Sequence, residues 1–176
     1  MNTSSHPVWR LISTLADWSN AVAAFALALM MFHVTIDVVC RYFFSAPLTG
    51  TIEIVSTYYM VAVIAFPMAY LHDRDQHIRV ELFTSGLSKK TLAKFDFFVE
   101  FIILACVFIM AVYGFEEAWD RSVAGEVWEA GQALIDVWPS RWFLPIGFLL
   151  MAIVSLAKII VFIRNPPSKK VMRKNG

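Results

Sequence analysis

The segment WFLPIGFLLMAIVSLAKIIVFI, residues 142–163, decides the fold class of this protein. It contains one charged residue, Lys158, in 22 positions. A helix rises about 1.5 Å per residue, so about 20 residues cross a hydrocarbon core of about 30 Å. The segment is therefore long and apolar enough to be a transmembrane helix. Lys158 lies close enough to one end for its ammonium group to reach the membrane surface.

Three further apolar segments of similar length precede it, at residues 21–44, 52–71 and 95–115. Hydrophobic residues make up 59% of the 176 residues and charged residues only 16%, whereas soluble domains carry roughly 25% charged residues. The segments between these runs are too short for a soluble catalytic domain. We therefore predict an all-α membrane protein in which residues 1–176 form a single domain of four transmembrane helices.

Lysine and arginine are concentrated on one side of the predicted membrane. Eleven lie in the amino-terminal segment, the second loop and the carboxyl-terminal tail, whereas Arg41, Arg121 and Arg141 lie towards the other side. Cytoplasmic segments of membrane proteins are enriched in Lys and Arg. We therefore predict that both termini are cytoplasmic and that the first and third loops are on the outer side.

The two long loops are predicted to contain helical structure of different kinds. In the second loop, Ile78, Leu82 and Phe83 recur at helical spacing, which is typical of a short amphipathic helix on the inner membrane surface. The acidic third loop is predicted to extend the third helix outwards and to turn near Gly125 or Gly131. Its tryptophan-bearing surface is either a docking site for an extracytoplasmic partner or part of an interfacial aromatic belt.

Asp37, Arg41 and Glu53 are ionisable residues that meet at one predicted corner. Asp37 and Arg41 are four residues apart on the first helix, in the favourable acid-before-base order. The short first loop makes the first two helices antiparallel neighbours, so Arg41 can reach Asp37, Glu53 or both. The cluster either fixes helix register or binds a substrate anion or proton. We favour the structural role, because one Arg between two acids has little positive charge to offer an anion.

Glu100 and His33 also lie inside predicted helices. Glu100 is deep enough in the third helix to need a partner, and Lys94 or a group on another protein is a candidate. His33 either donates a hydrogen bond across a helix interface or binds a haem iron. Because His72 and His77 lie at a different depth from His33, we favour the hydrogen bond.

Several function classes are not supported by the sequence. It contains no nucleotide-binding loop, metal-ligand motif or hydrolase motif. Cys40 and Cys106 lie in different helices without a paired thiol, so disulfide exchange is not predicted. We predict no catalytic residue, no metal, no cofactor and no nucleic-acid partner. The chain is also too small to form an alternating-access pathway alone. This favours an accessory membrane subunit, with a haem- or quinone-binding anchor of a redox complex, or a stand-alone small channel, as alternatives.

Three motifs together resemble one known family. They are Arg41-Tyr-Phe-Phe-Ser-Ala-Pro47 followed by Glu53, the inner-loop segment from Ala69 to Glu81, and Trp138-Pro-Ser-Arg-Trp-Phe-Leu-Pro145-Ile-Gly147. In order, spacing and placement they resemble the small membrane subunits, called DctQ, of tripartite ATP-independent periplasmic (TRAP) transporters. The likeness covers roughly residues 10–164.

This resemblance implies a multi-pass scaffold subunit in the bacterial inner membrane. Its partners would be a large multi-span TRAP subunit, a periplasmic substrate-binding protein and membrane lipids. Uptake of a carboxylate-bearing solute would be driven by an ion gradient, without ATP. We assign Asp37, Arg41 and Glu53 to a structural charge network at the outer corner. The remaining assignments are His77, Arg79 and Glu81 to an inner-surface turn, and Pro145 and Gly147 to packing at the start of the fourth helix.

Overall fold

A computed structural model of the protein describes residues 7–74, 89–131 and 133–164. Four helices in it are long and apolar enough to cross a membrane, which confirms the predicted fold class. They are α1, Pro7–Phe44; α2, Thr51–Asp73; α3, Lys89–Ala124; and α4, Phe143–Arg164. The amphipathic helix predicted around Ile78, Leu82 and Phe83 lies outside the described residues.

Two of the helices are longer than the apolar runs that predicted them. α1 begins at Pro7 instead of near residue 21, and α3 extends from Lys89 to Ala124 instead of from 95 to 115. Hydropathy marks the part of a helix that lies in hydrocarbon, whereas backbone hydrogen bonding continues into the polar flanks. The two helices therefore project beyond the predicted membrane core.

Helix α2 is irregular. It is α-helical at Thr51–Ile54, π-helical at Val55–Tyr59 and α-helical again at Met60–Ala65 and Pro67–Asp73. The last segment begins at Pro67, which has no backbone N–H and therefore interrupts the helical hydrogen bonds near Phe66. The Ser19 hydroxyl of α1 donates to the Phe66 carbonyl at 2.6 Å. A side chain from the neighbouring helix thus supports the backbone at the break.

The four helices form a row in which α2 and α4 are the inner members. α1 packs along α2, α2 packs along α4, and α4 packs along α3; α1 also touches α4 where Ala16 lies near Val154. In the most apolar stretch of α4, 44% of residues are buried, against 11% in α1 and in α3. Close packing is possible because many of the buried residues are small, as in other membrane helix interfaces; they include Ala16, Ala23, Ala62, Ala65, Ala69, Ala111 and Ala152.

A short β-hairpin joins α3 to α4. Strands β1 (Val127–Ala130) and β2 (Ala133–Asp136) pair antiparallel, and a 3-10 turn at Trp138–Trp142 leads into α4. Gly125 and Gly131, the two alternative positions predicted for a turn, both have positive φ. Strands β1 and β2, which lie on either side of Gly131, were not predicted. We call this side of the row the hairpin end, and the side with Pro7, Asp73 and Arg164 the terminal end.

Candidate functional site

Asp37 is the centre of a buried polar cluster at the hairpin end. Its side chain is almost fully enclosed, with 4% of the residue exposed. One carboxylate oxygen accepts a hydrogen bond from Arg41 Nη2 at 2.9 Å, and the other accepts one from the Leu48 backbone N–H at 2.8 Å. Asp37 therefore connects α1 to the loop that leads into α2, while the Arg41 side chain stays largely exposed.

The first loop, between α1 and α2, turns at two residues with an unusual backbone conformation. Ser45 and Gly50 both have positive φ, of 52° and 85°, and glycine adopts this conformation without steric cost. Ile135 of the hairpin lies so close to Gly50 that a β-carbon there would overlap its side chain. The loop is thus packed beneath the hairpin, and Gly50 permits the close approach.

Glu53 is not part of the Asp37 cluster in the described structure. It lies in the first turn of α2, and no hydrogen bond or ion pair joins its carboxylate to another residue of the described ranges. The partial positive charge of a helix N-terminus favours a carboxylate at this position. The structure therefore brings together Asp37 and Arg41 but leaves Glu53 apart.

The hairpin is fixed to the helices by polar contacts. The Tyr58 hydroxyl of α2 donates to the Asp136 carbonyl at 2.6 Å. Arg141 donates to both carboxylate oxygens of Glu126, at 3.0 and 2.7 Å. These hydrogen bonds from the guanidinium lower the pKa of Glu126, because they stabilise its ionised form. The hairpin is therefore anchored on α2 and at the start of α4.

A second buried cluster lies towards the terminal end and joins three helices. His72 of α2 and Ser155 of α4 are almost completely buried. Glu100 of α3 lies between them, with Oε1 at 2.6 Å from His72 Nε2 and 2.8 Å from Ser155 Oγ. Lys158 donates to the His72 carbonyl one turn further along α4. A carboxylate held by two donors in a helix interface is suited to fixing the positions of α2, α3 and α4.

The partners of Glu100 differ from those predicted from the sequence. Lys94 and a group on another protein were the candidates, whereas the structure places His72 and Ser155 on the carboxylate. The sequence did contain an indication of this cluster, because His72, Glu100 and Ser155 each lie in the part of their helix nearest the same predicted membrane face. This indication was weak, since Ser155 is uncharged, and a serine in a membrane helix can serve either as a hydrogen-bond partner or as a small packing residue.

His33 of α1 contacts Tyr59 of α2. Nδ1 and the Tyr59 hydroxyl are 3.4 Å apart, and the two rings meet edge to face at 5.9 Å. This is the interhelical hydrogen bond favoured by the sequence analysis. His33 lies in the half of α1 nearer the hairpin end, whereas His72 is in the last turns of α2 at the terminal end. The structure therefore does not bring these two histidines together.

Pro145 and Gly147 lie where α4 approaches its neighbours. Gly147 is buried, and the Ala65 carbonyl of α2 lies where a β-carbon on residue 147 would be. Pro145 is buried beside α3, where a β-carbon on Gly114 would be 3.1 Å from Pro145 Cβ. Small residues thus allow α4 to pack against α2 on one side and α3 on the other. The remaining predicted site residues, His77, Arg79 and Glu81, lie outside the described ranges.

Asp37 is paired with Arg41 of its own helix and with the first loop, whereas Glu100 is paired with residues of two neighbouring helices. No group of three His, Cys, Asp or Glu residues in the described parts of the chain is arranged to hold a metal ion. The geometry suits the fixing of helix positions more than a reaction on a bound substrate.

Comparison with known proteins agrees with the sequence motifs. Residues 30–165 match the family described as tripartite ATP-independent periplasmic transporters, DctQ component. No curated protein matched the chain closely. The family match covers more than half of the chain and includes α2, α3, α4 and both polar clusters. The protein is therefore a member of the DctQ family, the small membrane component of TRAP transporters.

Proposed function

We propose that this protein is the scaffold subunit of a TRAP importer and holds a large multi-span subunit in position in the membrane. The observation that carries this proposal is the open row of helices. α1 and α3 occupy its two edges and leave most of their apolar surface exposed. Such a row offers a broad apolar face along which a larger membrane protein can pack.

The polar clusters support a rigid scaffold. Asp37 and Glu100 lie inside the row, and each is held by donors from within the same chain. A carboxylate that is already held in this way is poorly suited to binding a transported solute. We therefore assign solute and ion binding to the large subunit and the initial capture of solute to a periplasmic binding protein.

The proposed cycle needs no ATP and no chemistry by this chain. A carboxylate-bearing solute is delivered by the binding protein and moves through the large subunit, driven by an ion gradient. The present chain is proposed to be neither an enzyme nor a cofactor carrier. It lies in the bacterial inner membrane with both termini cytoplasmic, an orientation supported by the excess of Lys and Arg in the terminal segments and the second loop.

The proposal is tested by gentle solubilisation of native membranes that contain the chain with a carboxyl-terminal tag. We expect a membrane protein of many more spans to co-purify, and we expect uptake of the solute to be lost when the chain is deleted. Recovery with soluble redox subunits and a His33-dependent Soret band would instead support the redox anchor. Ion conductance by the chain reconstituted alone would support the channel.

Arg41→Ala provides a finer test of the scaffold role. It removes one of the two donors to Asp37 without placing a new charge in the membrane. We expect membrane insertion to be retained, with a lower yield of the assembled complex or lower uptake. Normal yield together with normal uptake would contradict the assigned role of Arg41.

A further inference from the structure

A groove of about 590 Å³ runs between α3 and α4 near the hairpin end. Its volume lies in the range of small-molecule sites in proteins, roughly 300–1,000 Å³. The polarity of its walls changes along their length. Apolar side chains line the part nearer the membrane centre, and carboxylates line the part nearer the hairpin; the lining includes Ile109, Met110, Leu144, Phe148, Glu116, Glu117 and Asp120.

The α3 wall of the groove is one continuous face of the helix. Ile109, Tyr113, Glu116 and Asp120 follow one another at intervals of four, three and four residues, so their side chains are stacked on one side. Gly114 lies beside this stripe and is packed against Pro145 of α4. Because Gly114 has no side chain, the groove stays open between the two helices.

The hydropathy of α3 predicts that the change from apolar to acidic occurs at the depth where hydrocarbon gives way to lipid headgroups. Phe115 ends the apolar run of α3, and Glu116 follows directly. Asp120 is about 6 Å further along the helix, whereas Ile109 is about 10 Å in the opposite direction. Each headgroup layer is about 5–8 Å thick. The carboxylates therefore lie at headgroup depth and the apolar wall lies at acyl-chain depth.

The charges in the groove are not balanced within the described chain. Arg121 contacts Glu117 at 2.7 Å. No hydrogen bond or ion pair joins the carboxylates of Glu116 and Asp120 to another residue in the described ranges. These two like charges are four residues apart on one helix face, an arrangement that destabilises a helix. A cation between them would relieve this repulsion.

We propose that this groove binds a phospholipid with a primary ammonium headgroup, such as phosphatidylethanolamine. The ammonium lies between Glu116 and Asp120, to which its three N–H groups can donate. An acyl chain lies along the apolar wall formed by Ile109 and Phe148. An anionic headgroup such as phosphatidylglycerol is disfavoured, because it would bring negative charge to the same carboxylates.

The test measures which lipid the purified chain retains. The chain is reconstituted with equal amounts of phosphatidylethanolamine and phosphatidylglycerol, extracted mildly, and examined by native mass spectrometry. We expect phosphatidylethanolamine to be enriched up to about fivefold, the upper limit for an ion pair with exposed carboxylates such as those of Glu116 and Asp120. A retained ratio equal to that of the bulk mixture would overturn the proposal.

Variants locate the site. Glu116→Gln combined with Asp120→Asn removes the two charges, and we expect this variant to lose the enrichment. Glu129→Gln removes a charge from the hairpin outside the groove lining and should keep it. Leu144→Trp fills the apolar wall, leaves the carboxylates intact and should also reduce retention. Undiminished enrichment in the double variant would place the lipid elsewhere and overturn the proposal.

A second mixture tests the chemistry of the headgroup. Phosphatidylcholine replaces phosphatidylethanolamine, because its quaternary ammonium has the same charge but no N–H donor. We expect weaker enrichment of phosphatidylcholine, and equal enrichment would overturn the assignment to a primary ammonium. These measurements need no transport partner, so their failure is distinct from a failure of the scaffold proposal.

Discussion

The backbone carbonyl of Ala65 in α2 occupies the space that a β-carbon on Gly147 of α4 would need. The two inner helices of the row therefore meet backbone to backbone. This contact joins α4 to the first half of the chain, and it requires glycine for a steric reason.

Gly147→Ala is expected to separate α2 from α4. An extra carbon in a packed interior costs about 1–3 kcal/mol, and here the obstacle is backbone that cannot rotate away. We expect a lower midpoint in thermal unfolding of the detergent-solubilised protein. Gly114→Ala is a matched control, because both changes raise helix propensity equally. Its β-carbon would lie 3.1 Å from Pro145 Cβ, a smaller overlap than the one between a β-carbon at 147 and the Ala65 carbonyl, so we expect a smaller loss of stability. Equal effects of the two variants would contradict the assigned contact.

Glu100→Ala is expected to destabilise the packing of three helices. His72 and Ser155 would each lose a hydrogen bond to a buried carboxylate and retain their mutual contact at 2.9 Å, so we expect a cost of roughly 1–3 kcal/mol. Thermal unfolding again provides the measurement. Asp96→Asn is the control, since Asp96 lies on the same helix but is exposed. Because the residues act together, the effects of Glu100→Ala and Ser155→Ala should not add in the double variant. Strict additivity would argue against a shared cluster.

Asp37→Ala is expected to impair the protein more than Arg41→Ala. The first change removes both the Arg41 and the Leu48 contacts, whereas the second leaves the Leu48 hydrogen bond in place. Protease accessibility of the first loop in membrane vesicles measures the difference. Glu53→Gln should resemble the wild type, because no described residue pairs with that carboxylate. Greater loop exposure in Arg41→Ala than in Asp37→Ala would refute this order.

The Glu126–Arg141 pair is expected to lose its contribution to stability in acid. Because the pair lowers the pKa of Glu126 in the folded protein, this contribution is complete above the ordinary value of 4.5. It declines as the pH falls below 4.5 through the lower folded-state pKa. The measurement compares wild type with Glu126→Gln, so that other titrating groups cancel. The difference should be about 1 kcal/mol or less at pH 7 and should vanish in acid. A difference that persists or grows below pH 4 would contradict the prediction.

The sequence was sufficient to predict the four helices, because uninterrupted apolar runs such as 142–163 have few alternatives in a chain of this composition. It was insufficient for the contacts between them. A helix that is apolar on all sides gives no periodic contrast from which to identify the face that meets a neighbour. Ser155 therefore could not be distinguished from a small packing residue, although its hydroxyl donates a hydrogen bond to Glu100.

The hairpin shows a different limit of prediction. Each strand has only four residues, too few for an alternating pattern to stand out. Gly125 and Gly131 indicated where the chain turns, but the pairing of Val127 with Asp136 depends on contacts with distant residues. Tyr58, which holds Asp136, is 78 residues away in the sequence.

The order of the row has a consequence for biosynthesis. α1 pairs with α2 and α3 pairs with α4, so each half of the chain is a helical pair that can enter the membrane as a unit. The halves then join through α2 and α4, with further contacts between Ala16 and Val154 and between His72 and Glu100, and the hairpin closes over the first loop. Residues 1–74 and 89–176, produced as two separate polypeptides in one cell, should therefore associate into a stable complex. Gly147→Ala in the second fragment should weaken this association, because the two fragments meet backbone to backbone at Ala65 and Gly147.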